Sequence, residues 1–301
     1  MKIIVLKFGG TSVGTLNKIA KISKIIISYI KKKYKVIVVT SAMSGVTNEL
    51  IKKATKISKN FPNSERDVLL STGEQMASAL IAGKLCDLGF NSRSWMSWQI
   101  PIITRGNYSA ARIIKIGTDQ LKKYLKKGGT PIITGFQGLN KESRLTTLER
   151  GGSDASAIML AKFFKAKRCI IYTDVEGVYT TDPNLTRKAK KIKALSYEEM
   201  LEMSSLGAKV MQPASIQDAK LNKVKIDVKS SFSNKTGTQI IGRKKIKDTN
   251  IIRGVSFTKN DAKVSLLGVK DKPGVAAAIF EPLYKNSINV DMVVQNISSD
   301  G

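Results

Sequence analysis

Residues 5–14 read Val5-Leu6-Lys7-Phe8-Gly9-Gly10-Thr11-Ser12-Val13-Gly14. An apolar run here ends in a lysine, two glycines and two hydroxyl residues, directly before a helical pattern. Glycines let the main chain approach an oxyanion, the start of the helix offers N–H groups, and Lys7 adds a mobile cation. The stretch therefore indicates a phosphate-binding turn, although paired glycines also serve many strand-to-helix junctions as simple turns.

Short apolar runs recur along the chain, and helical patterns separate them. This alternation is typical of parallel strands joined by crossover helices, so we predict an α/β fold. Ile19, Ile22 and Ile26 lie at helical spacing and predict a helix that covers one face of the sheet. Ser196 and Glu199 have the spacing of a capping box, which predicts the start of a later helix. The predicted strands are residues 3–6, 36–40, 131–135, 169–173 and 224–228.

The composition excludes several classes of protein and mechanism. The 301 residues are 42% hydrophobic, and no apolar run approaches the roughly 18 residues of a membrane span, so we predict a globular cytoplasmic protein. The absence of histidine excludes imidazole bases, serine–histidine triads and histidine metal sites. The net charge of +28 comes from dispersed residues, mostly lysine, so we predict neither nucleic-acid nor membrane binding. Such a surface still attracts anionic substrates.

Small or polar residues follow the predicted strands at 40–45, 134–138 and 172–177. Because ligands of open α/β sheets bind at the carboxyl ends of the strands, we expect these clusters to share one edge with Lys7. Loops are commonly polar for other reasons, but the coincidence of the clusters on one edge favours a site.

Arg150 marks a second anion-binding point, because it precedes a helix predicted over residues 155–164 whose start offers N–H groups. Two such points suit a substrate with two anionic ends. Asp154 has two interpretations, a plain N-terminal helix acid or a carboxylate that orients Lys7. Glu74 lies in a helical segment otherwise lined by apolar residues, and by itself it is a weak candidate, since solvated glutamates are common on helices.

The pattern changes after residue 238, where a polar, lysine-rich stretch begins. Beyond it we predict a strand at 264–269, a turn at 271–274, a helix at 275–284 and a strand at 288–295. We therefore predict two domains, residues 1–244 and residues 245–301. A β-α-β segment of this size cannot bury a core of its own, so we expect it to be truncated or completed by a partner.

Seven motifs follow one another along the chain: KFGGTS at 7–12, TSAM at 40–43, STGE at 71–74, GFQG at 135–138, RGGSD at 150–154, TDVEGVYTTDP at 173–183 and GAKV at 207–210. In this order and spacing they resemble the aspartate kinases, in the monofunctional, feedback-regulated branch of the amino-acid kinase family. The resemblance implies a three-layer α/β/α fold with a mostly parallel sheet. It also implies that the second domain is an incomplete ferredoxin-like ACT regulatory module.

The resemblance implies specific roles for residues in these motifs. Lys7, Asp154 and Lys209 are the implied catalytic residues, with Asp154 organising the lysines. Glu74 would face the substrate ammonium group and Arg150 a carboxylate. The implied ATP-binding residues are Lys7, Phe8, Gly9, Gly10, Ser12, Thr173, Asp174, Tyr179, Asp182 and Lys209. The implied aspartate-binding residues are Ser41, Thr47, Glu74, Arg150, Gly151, Gly152 and Ser153.

The implied reaction transfers the γ-phosphoryl group of ATP to the side-chain carboxylate of L-aspartate, giving 4-phospho-L-aspartate, the first step of lysine, threonine and methionine biosynthesis. It needs no general base, because a carboxylate with a pKa of about 3.9 is ionised at neutral pH. Lysines, main-chain N–H groups and Mg²⁺ suffice to neutralise the repelling anions. We expect the phosphates and water to hold Mg²⁺, and we assign no protein ligand to the metal.

The resemblance also implies a homo-oligomer and feedback control by lysine or threonine. Glu149 departs from the family, which usually has glycine there, and it adds a negative charge beside an anion site. Two alternatives stay open: a kinase of this fold acting on acetylglutamate, glutamate, carbamate or a nucleoside monophosphate, and an inactive protein that binds RNA. Arg150 with Glu74 favours a free amino acid over a nucleoside, and the sequence has no RNA-binding motif.

Overall fold

A computed structural model of the chain describes residues 2–208, 210–243, 246, 252–257, 262–270, 272–286, 288, 290 and 293–295. The chain divides into two compact units, residues 1–258 and residues 259–301. The domain boundary predicted at residue 245 lies before this division and stays a prediction.

Twelve strands form in the described part of the first unit: β1 (Ile3–Phe8), β2 (Lys35–Thr40), β3 (Ser92–Trp95), β4 (Ile102–Arg105), β5 (Arg112–Ile116), β6 (Thr130–Thr134), β7 (Gln137–Leu139), β8 (Leu145–Thr147), β9 (Cys169–Thr173), β10 (Ala194–Ser196), β11 (Ile226–Ser230) and β12 (Thr238–Ile241). Eight of them make one sheet in the order β10-β12-β11-β9-β1-β2-β6-β3. Its neighbouring strands are parallel except for the pair β11 and β12. The mostly parallel sheet predicted from the sequence is therefore confirmed.

The described residues of this unit also form eight helices: α1 (Gly10–Val13), α2 (Leu16–Lys31), α3 (Val46–Ile57), α4 (Asn63–Asp87), α5 (Asp119–Lys126), α6 (Gly152–Phe163), α7 (Tyr197–Ser205) and α8 (Pro213–Leu221). Apolar residues of α2 and α4 share one buried cluster with the sheet, and those of α5, α6, α7 and α8 share another. The three-layer α/β/α arrangement is thus confirmed. The capping box is also confirmed, because Ser196 and Glu199 exchange both of its hydrogen bonds at the start of α7.

Successive side chains of β1 point to opposite faces of the sheet and so pack against different helices. Leu6 and Phe8 belong to the cluster under α2 and α4, whereas Val5 belongs to the cluster under α6. Because side chains of a strand alternate between faces, Lys7 follows Val5 onto the α6 face. Lys7 therefore leaves the apolar surroundings of β1 on the α6 side and reaches the first turn of α6.

The remaining four strands form a small sheet in the order β5-β4-β7-β8, with antiparallel pairs β4/β5 and β7/β8. The sequence analysis missed this sheet, because its strands are three to five residues long and mix polar with apolar residues. Its strands fall between β3 and α6 in sequence order. The last of them, β8, leads directly into the Arg150 segment.

The helix predicted over residues 155–164 begins earlier, at Gly152. The N-cap residue Gly151 has a φ of 81°, a left-handed conformation that glycine adopts without a steric cost. The prediction was wrong at this end because Ser153 and Asp154, which look like a polar lead-in, occupy the first helical turn. Asp154 is thereby fixed by helical geometry.

The described part of the second unit contains one helix, α9 (Val275–Lys285), which confirms the predicted helix. The strand predicted at 264–269 is wrong: these residues form no ladder, and a strand needs a paired neighbour to satisfy its N–H and C=O groups. The strand predicted at 288–295 lies partly outside the described residues, and residues 288, 290 and 293–295 are not in a strand. In the described ranges no helix is long and apolar enough to span a bilayer.

Ile22→Ala tests the packing of α2 on the sheet. Ile22 is fully buried, so we expect a loss of about 2–5 kcal/mol in the free energy of unfolding, measured by urea titration. Leu16→Ala on the same helix is the control, because Leu16 is 68% exposed and should cost less than about 0.5 kcal/mol. Equal losses for the two variants would contradict this packing.

Candidate active site

The carboxyl ends of neighbouring parallel strands meet at one edge of the large sheet. Phe8 at the end of β1 pairs in register with Thr40 and with Tyr172, and Thr40 pairs with Thr134. The following loops continue this order, since Ser41 N donates to Phe8 O at 3.1 Å. The structure therefore brings the polar clusters predicted after β2, β6 and β9 to the edge that carries Lys7.

The glycine turn packs tightly against the loop after β2. A Cβ atom on Gly10 would lie 2.8 Å from the carbonyl oxygen of Ala42, a distance that side chains do not tolerate. Gly9 N donates to Tyr172 O at 3.2 Å, so its N–H group extends the sheet. Phe8 is fully buried and stacks on Tyr172 with ring centroids 4.9 Å apart, so its side chain does not line the edge. Main-chain geometry therefore shapes this turn.

Lys7 and Asp154 form a buried ion pair, with Nζ 2.7 Å from Oδ1 and exposed side-chain fractions of 12% and 8%. Asp154 is the acid in the first turn of α6, so it also faces the positive end of that helix. Asp154 was interpreted either as a plain helix acid or as a carboxylate that orients Lys7, and the structure contains the contact with Lys7. The ammonium group is held at the site edge by a fixed partner.

Glu74 on α4 is a half-satisfied buried carboxylate. The residue is only 4% exposed, and its Oε1 accepts a hydrogen bond from Ala42 N at 3.0 Å. Oε2 is buried and has no hydrogen-bond partner among the described residues. Burial raises the pKa of Glu74 to about 7, against the opposing effects of the Ala42 N–H group and the Lys7 charge. A cationic ligand would complete this arrangement.

The segment around Arg150 is a tight turn into α6. Gly152 N donates to Glu149 O at 2.8 Å, and Asp154 N donates to Gly151 O at 2.8 Å, so fewer N–H groups are available than the sequence suggested. Glu149 takes part through its main chain and its side chain is exposed, as is that of Arg150. The positive charge of Arg150 is therefore accessible to a ligand.

Ser153 lies beside the loop after β6. A Cβ on Gly135 would lie 2.9 Å from the Ser153 side chain, so glycine is required for α6 to approach the sheet edge this closely. Gly152 packs against Phe136 and Leu148 in the same way. The glycines bring the start of α6 onto the edge that carries Lys7.

The residues predicted on the nucleotide side lie mainly in the loop after β9. Thr173 Oγ1 donates to Asp174 Oδ1 at 3.0 Å, and Tyr179 OH donates to Glu176 Oε2 at 3.4 Å. Asp182 Oδ1 accepts from Asn184 N at 2.9 Å. Lys209 lies outside the described residues. On the aspartate side, Thr47 is in the first turn of α3, next to the loop that carries Ser41.

Two residues that the sequence analysis missed support the site. Ser231 Oγ donates to Ser12 Oγ at 2.6 Å, which ties the loop after β11 to α1. The sequence could have indicated Ser231, because this serine follows the strand predicted at 224–228, whose carboxyl end lies at the same edge. Asp67, which is fully buried on α4, had no local signal.

The comparisons with known proteins agree with this geometry. The profile of the amino acid kinase family matches residues 2–230, and an ACT domain profile matches residues 264–299. The aspartokinase of Geobacillus stearothermophilus is 41% identical over 299 residues, which cover 99% of this chain and 74% of the relative. The chain belongs to the aspartokinases of the amino acid kinase family. The aspartokinase of Helicobacter pylori J99 is 42% identical over 303 residues, 99% of this chain and 75% of the relative.

Solved aspartokinase structures share the fold. E. coli aspartokinase III in complex with aspartate and ADP, in its R-state, matches with a TM-score of 0.79 at 25% identity, over 98% of this chain and 77% of that chain. The same enzyme in complex with lysine and aspartate, in its T-state, matches with a TM-score of 0.76 at 25% identity over the same shares. The resemblance drawn from the seven motifs is confirmed.

The pKa of Glu74 generates a prediction for this aspartokinase. An acid with a pKa of about 7 is mostly neutral below that pH, and only the ionised form attracts an ammonium group. We expect the KM for aspartate to fall about tenfold from about pH 6 to about pH 8. Steady-state kinetics at fixed ATP measures this change.

Glu74→Gln should raise the KM at the higher pH and flatten its pH dependence. Glu49→Gln is the matched control, because Glu49 is an exposed glutamate of α3. A pH profile that Glu74→Gln leaves unchanged would contradict the assignment.

Proposed function

We propose that this edge transfers the γ-phosphoryl group of ATP to the side-chain carboxylate of L-aspartate. The buried pair of Lys7 and Asp154, 2.7 Å apart beside the glycine turn, is the observation that carries the proposal. The family membership supports the same reaction. Two anions must be held together for it, and this edge carries fixed positive charge and close main-chain approach.

Lys7 is proposed to neutralise the phosphate oxygens as the phosphoryl group moves. Asp154 holds the ammonium group in place, so little reorganisation is needed when charge shifts in the transition state. Gly10 and Ser12 would place main-chain and hydroxyl donors beside the phosphates, with Ser231 fixing the Ser12 hydroxyl. Lys209 is proposed as the second catalytic lysine on the strength of its motif alone.

Mg²⁺ would enter the site as part of the substrate MgATP. In the described part of the chain no three carboxylate or thiol side chains come together as a metal site, and Mg²⁺ commonly binds through phosphates and water. The nucleotide itself would contact Thr173 at the end of β9, and Asp174, Tyr179 and Asp182 in the loop that follows.

Glu74 and Arg150 are proposed to hold the two charged groups of the α-carbon of aspartate. Among the described residues no donor reaches the buried Oε2 of Glu74, and Arg150 presents an exposed side chain. An ammonium and a carboxylate satisfy these two groups respectively. Ser41, Thr47 and the segment Gly151–Ser153 would complete the binding of the acceptor.

The ACT match suggests regulation. An aspartokinase structure contains lysine, so we propose lysine, with threonine as the alternative, as a feedback effector of this chain. A homo-oligomer, a cytoplasmic location and a domain boundary near residue 245 are proposed on the same kinship and on the sequence.

A hydroxamate assay tests the substrate. Hydroxylamine traps acyl phosphates, so incubation with MgATP and one candidate acid at a time reports which carboxylate is phosphorylated. We expect hydroxamate from aspartate and at least about tenfold less from glutamate or acetylglutamate. With the α-carbon groups held by Glu74 and Arg150, a longer side chain misplaces its carboxylate, and acetylation removes the ammonium charge. Adding lysine or threonine to the same assay tests the effector.

The controls omit ATP or replace the acid with a nucleoside monophosphate. Hydroxamate from acetylglutamate without any from aspartate would overturn the proposed substrate. Formation of a nucleoside diphosphate without hydroxamate would assign the chain to a different kinase of this fold.

A further inference from the structure

Asp67 is a buried carboxylate with four hydrogen bonds. Oδ2 accepts from the main-chain N of Ser109 at 2.9 Å and of Thr147 at 2.7 Å. Oδ1 accepts from the hydroxyl of Ser109 at 2.8 Å and of Thr147 at 2.7 Å. All four donors are neutral, and the side chain is fully buried. A charge buried in this way is costly unless several donors solvate it, so the two donor segments are held firmly to α4.

The two segments belong to the small antiparallel sheet. Ser109 lies in the turn between β4 and β5 with a φ of 66°, and Thr147 is the last residue of β8. Ala111 N donates to Thr147 O at 3.1 Å, which links the two donor segments to each other. Asp67 therefore fixes where β8 ends, and the chain reaches Arg150 three residues later.

Glu74 lies on the same face of α4 as Asp67, because seven residues make two helical turns. Between them, the carbonyl oxygen of Ser71 accepts a hydrogen bond from Gln137 Nε2 at 3.1 Å, so this face also holds β7. One helix thus binds the loop after β2 through Glu74 and the end of β8 through Asp67. The helix therefore links the position of Glu74 to the end of β8, three residues before Arg150.

We propose that Asp67 is a positioning residue that fixes the Arg150 segment relative to Glu74, and so sets the affinity for the α-ammonium and α-carboxylate groups of the acceptor. The inference rests on the proposed function, because it takes Glu74 and Arg150 as the groups that bind the acceptor. Asp67 itself makes its contacts with Ser109 and Thr147, and it acts on the acceptor through β8. The nucleotide side of the edge is held by other contacts, such as the bond between Ser231 and Ser12.

Asp67→Asn tests this role, because the amide keeps the shape but presents an NH₂ group to two of the four donors. We expect the KM for aspartate to rise about tenfold or more, with a smaller change in kcat, because the variant weakens binding of the α-carbon groups. The KM for ATP should change less than about threefold. Steady-state kinetics and the hydroxamate assay measure these values.

Asp227→Asn is the matched control for the loss of a buried carboxylate. Asp227 is 5% exposed and accepts two hydrogen bonds from Arg168 Nη1, at 2.8 and 2.9 Å, in a different part of the sheet. It should lower the melting temperature without a selective change in the KM for aspartate.

A second pair of variants keeps the test decisive if Asp67→Asn does not fold. Thr147→Val removes one hydroxyl donor at nearly constant shape and should raise the KM for aspartate, whereas Thr147→Ser keeps the donor and should restore it. Equal changes in both KM values, or a lower melting temperature with an unchanged KM for aspartate, would overturn the positioning role. An unmodified protein that makes no aspartyl hydroxamate would instead overturn the proposed function.

Discussion

The ion pair between Lys7 and Asp154 is the interaction on which the site depends. Alternation along β1 sends Lys7 to the α6 face, and the early start of α6 at Gly152 puts Asp154 in its first turn. Both side chains are nearly buried, so removing either one leaves an unpaired charge in a poorly solvated place. The fold therefore holds a cation at the sheet edge, where the proposed reaction places the phosphate oxygens.

The second constraint is the face of α4 that carries Asp67 and Glu74. Both carboxylates are buried, but Asp67 accepts four hydrogen bonds while Glu74 leaves Oε2 without one in the described part of the chain. Burial raises the pKa of Glu74 to about 7, because the ionised carboxylate is poorly solvated there. Asp67, whose oxygens both accept hydrogen bonds, is thus suited to holding the structure together. Glu74, which within the described residues has one oxygen free to accept, is suited to binding a ligand.

Much of this arrangement could be predicted from the sequence, because it follows from local pattern. The five apolar runs became β1, β2, β6, β9 and β11, and the motifs at their carboxyl ends met at one edge. The bonds of Asp67 to Thr147 and of Ser231 to Ser12 join residues far apart in sequence, and no periodicity reports such contacts. The small antiparallel sheet was missed for a related reason, since its short strands are stabilised by their partners.

The central claim is that Lys7 acts in catalysis and that Asp154 acts through it. Turnover and urea stability of Lys7→Ala, Asp154→Asn and the double variant test this most directly. We predict that Lys7→Ala lowers kcat about 10³-fold or more, and that the double variant is no less active but regains stability, because no buried charge is left unpaired. Independent, multiplicative losses of turnover, or a Lys7→Ala protein that keeps most of its activity, would contradict the account.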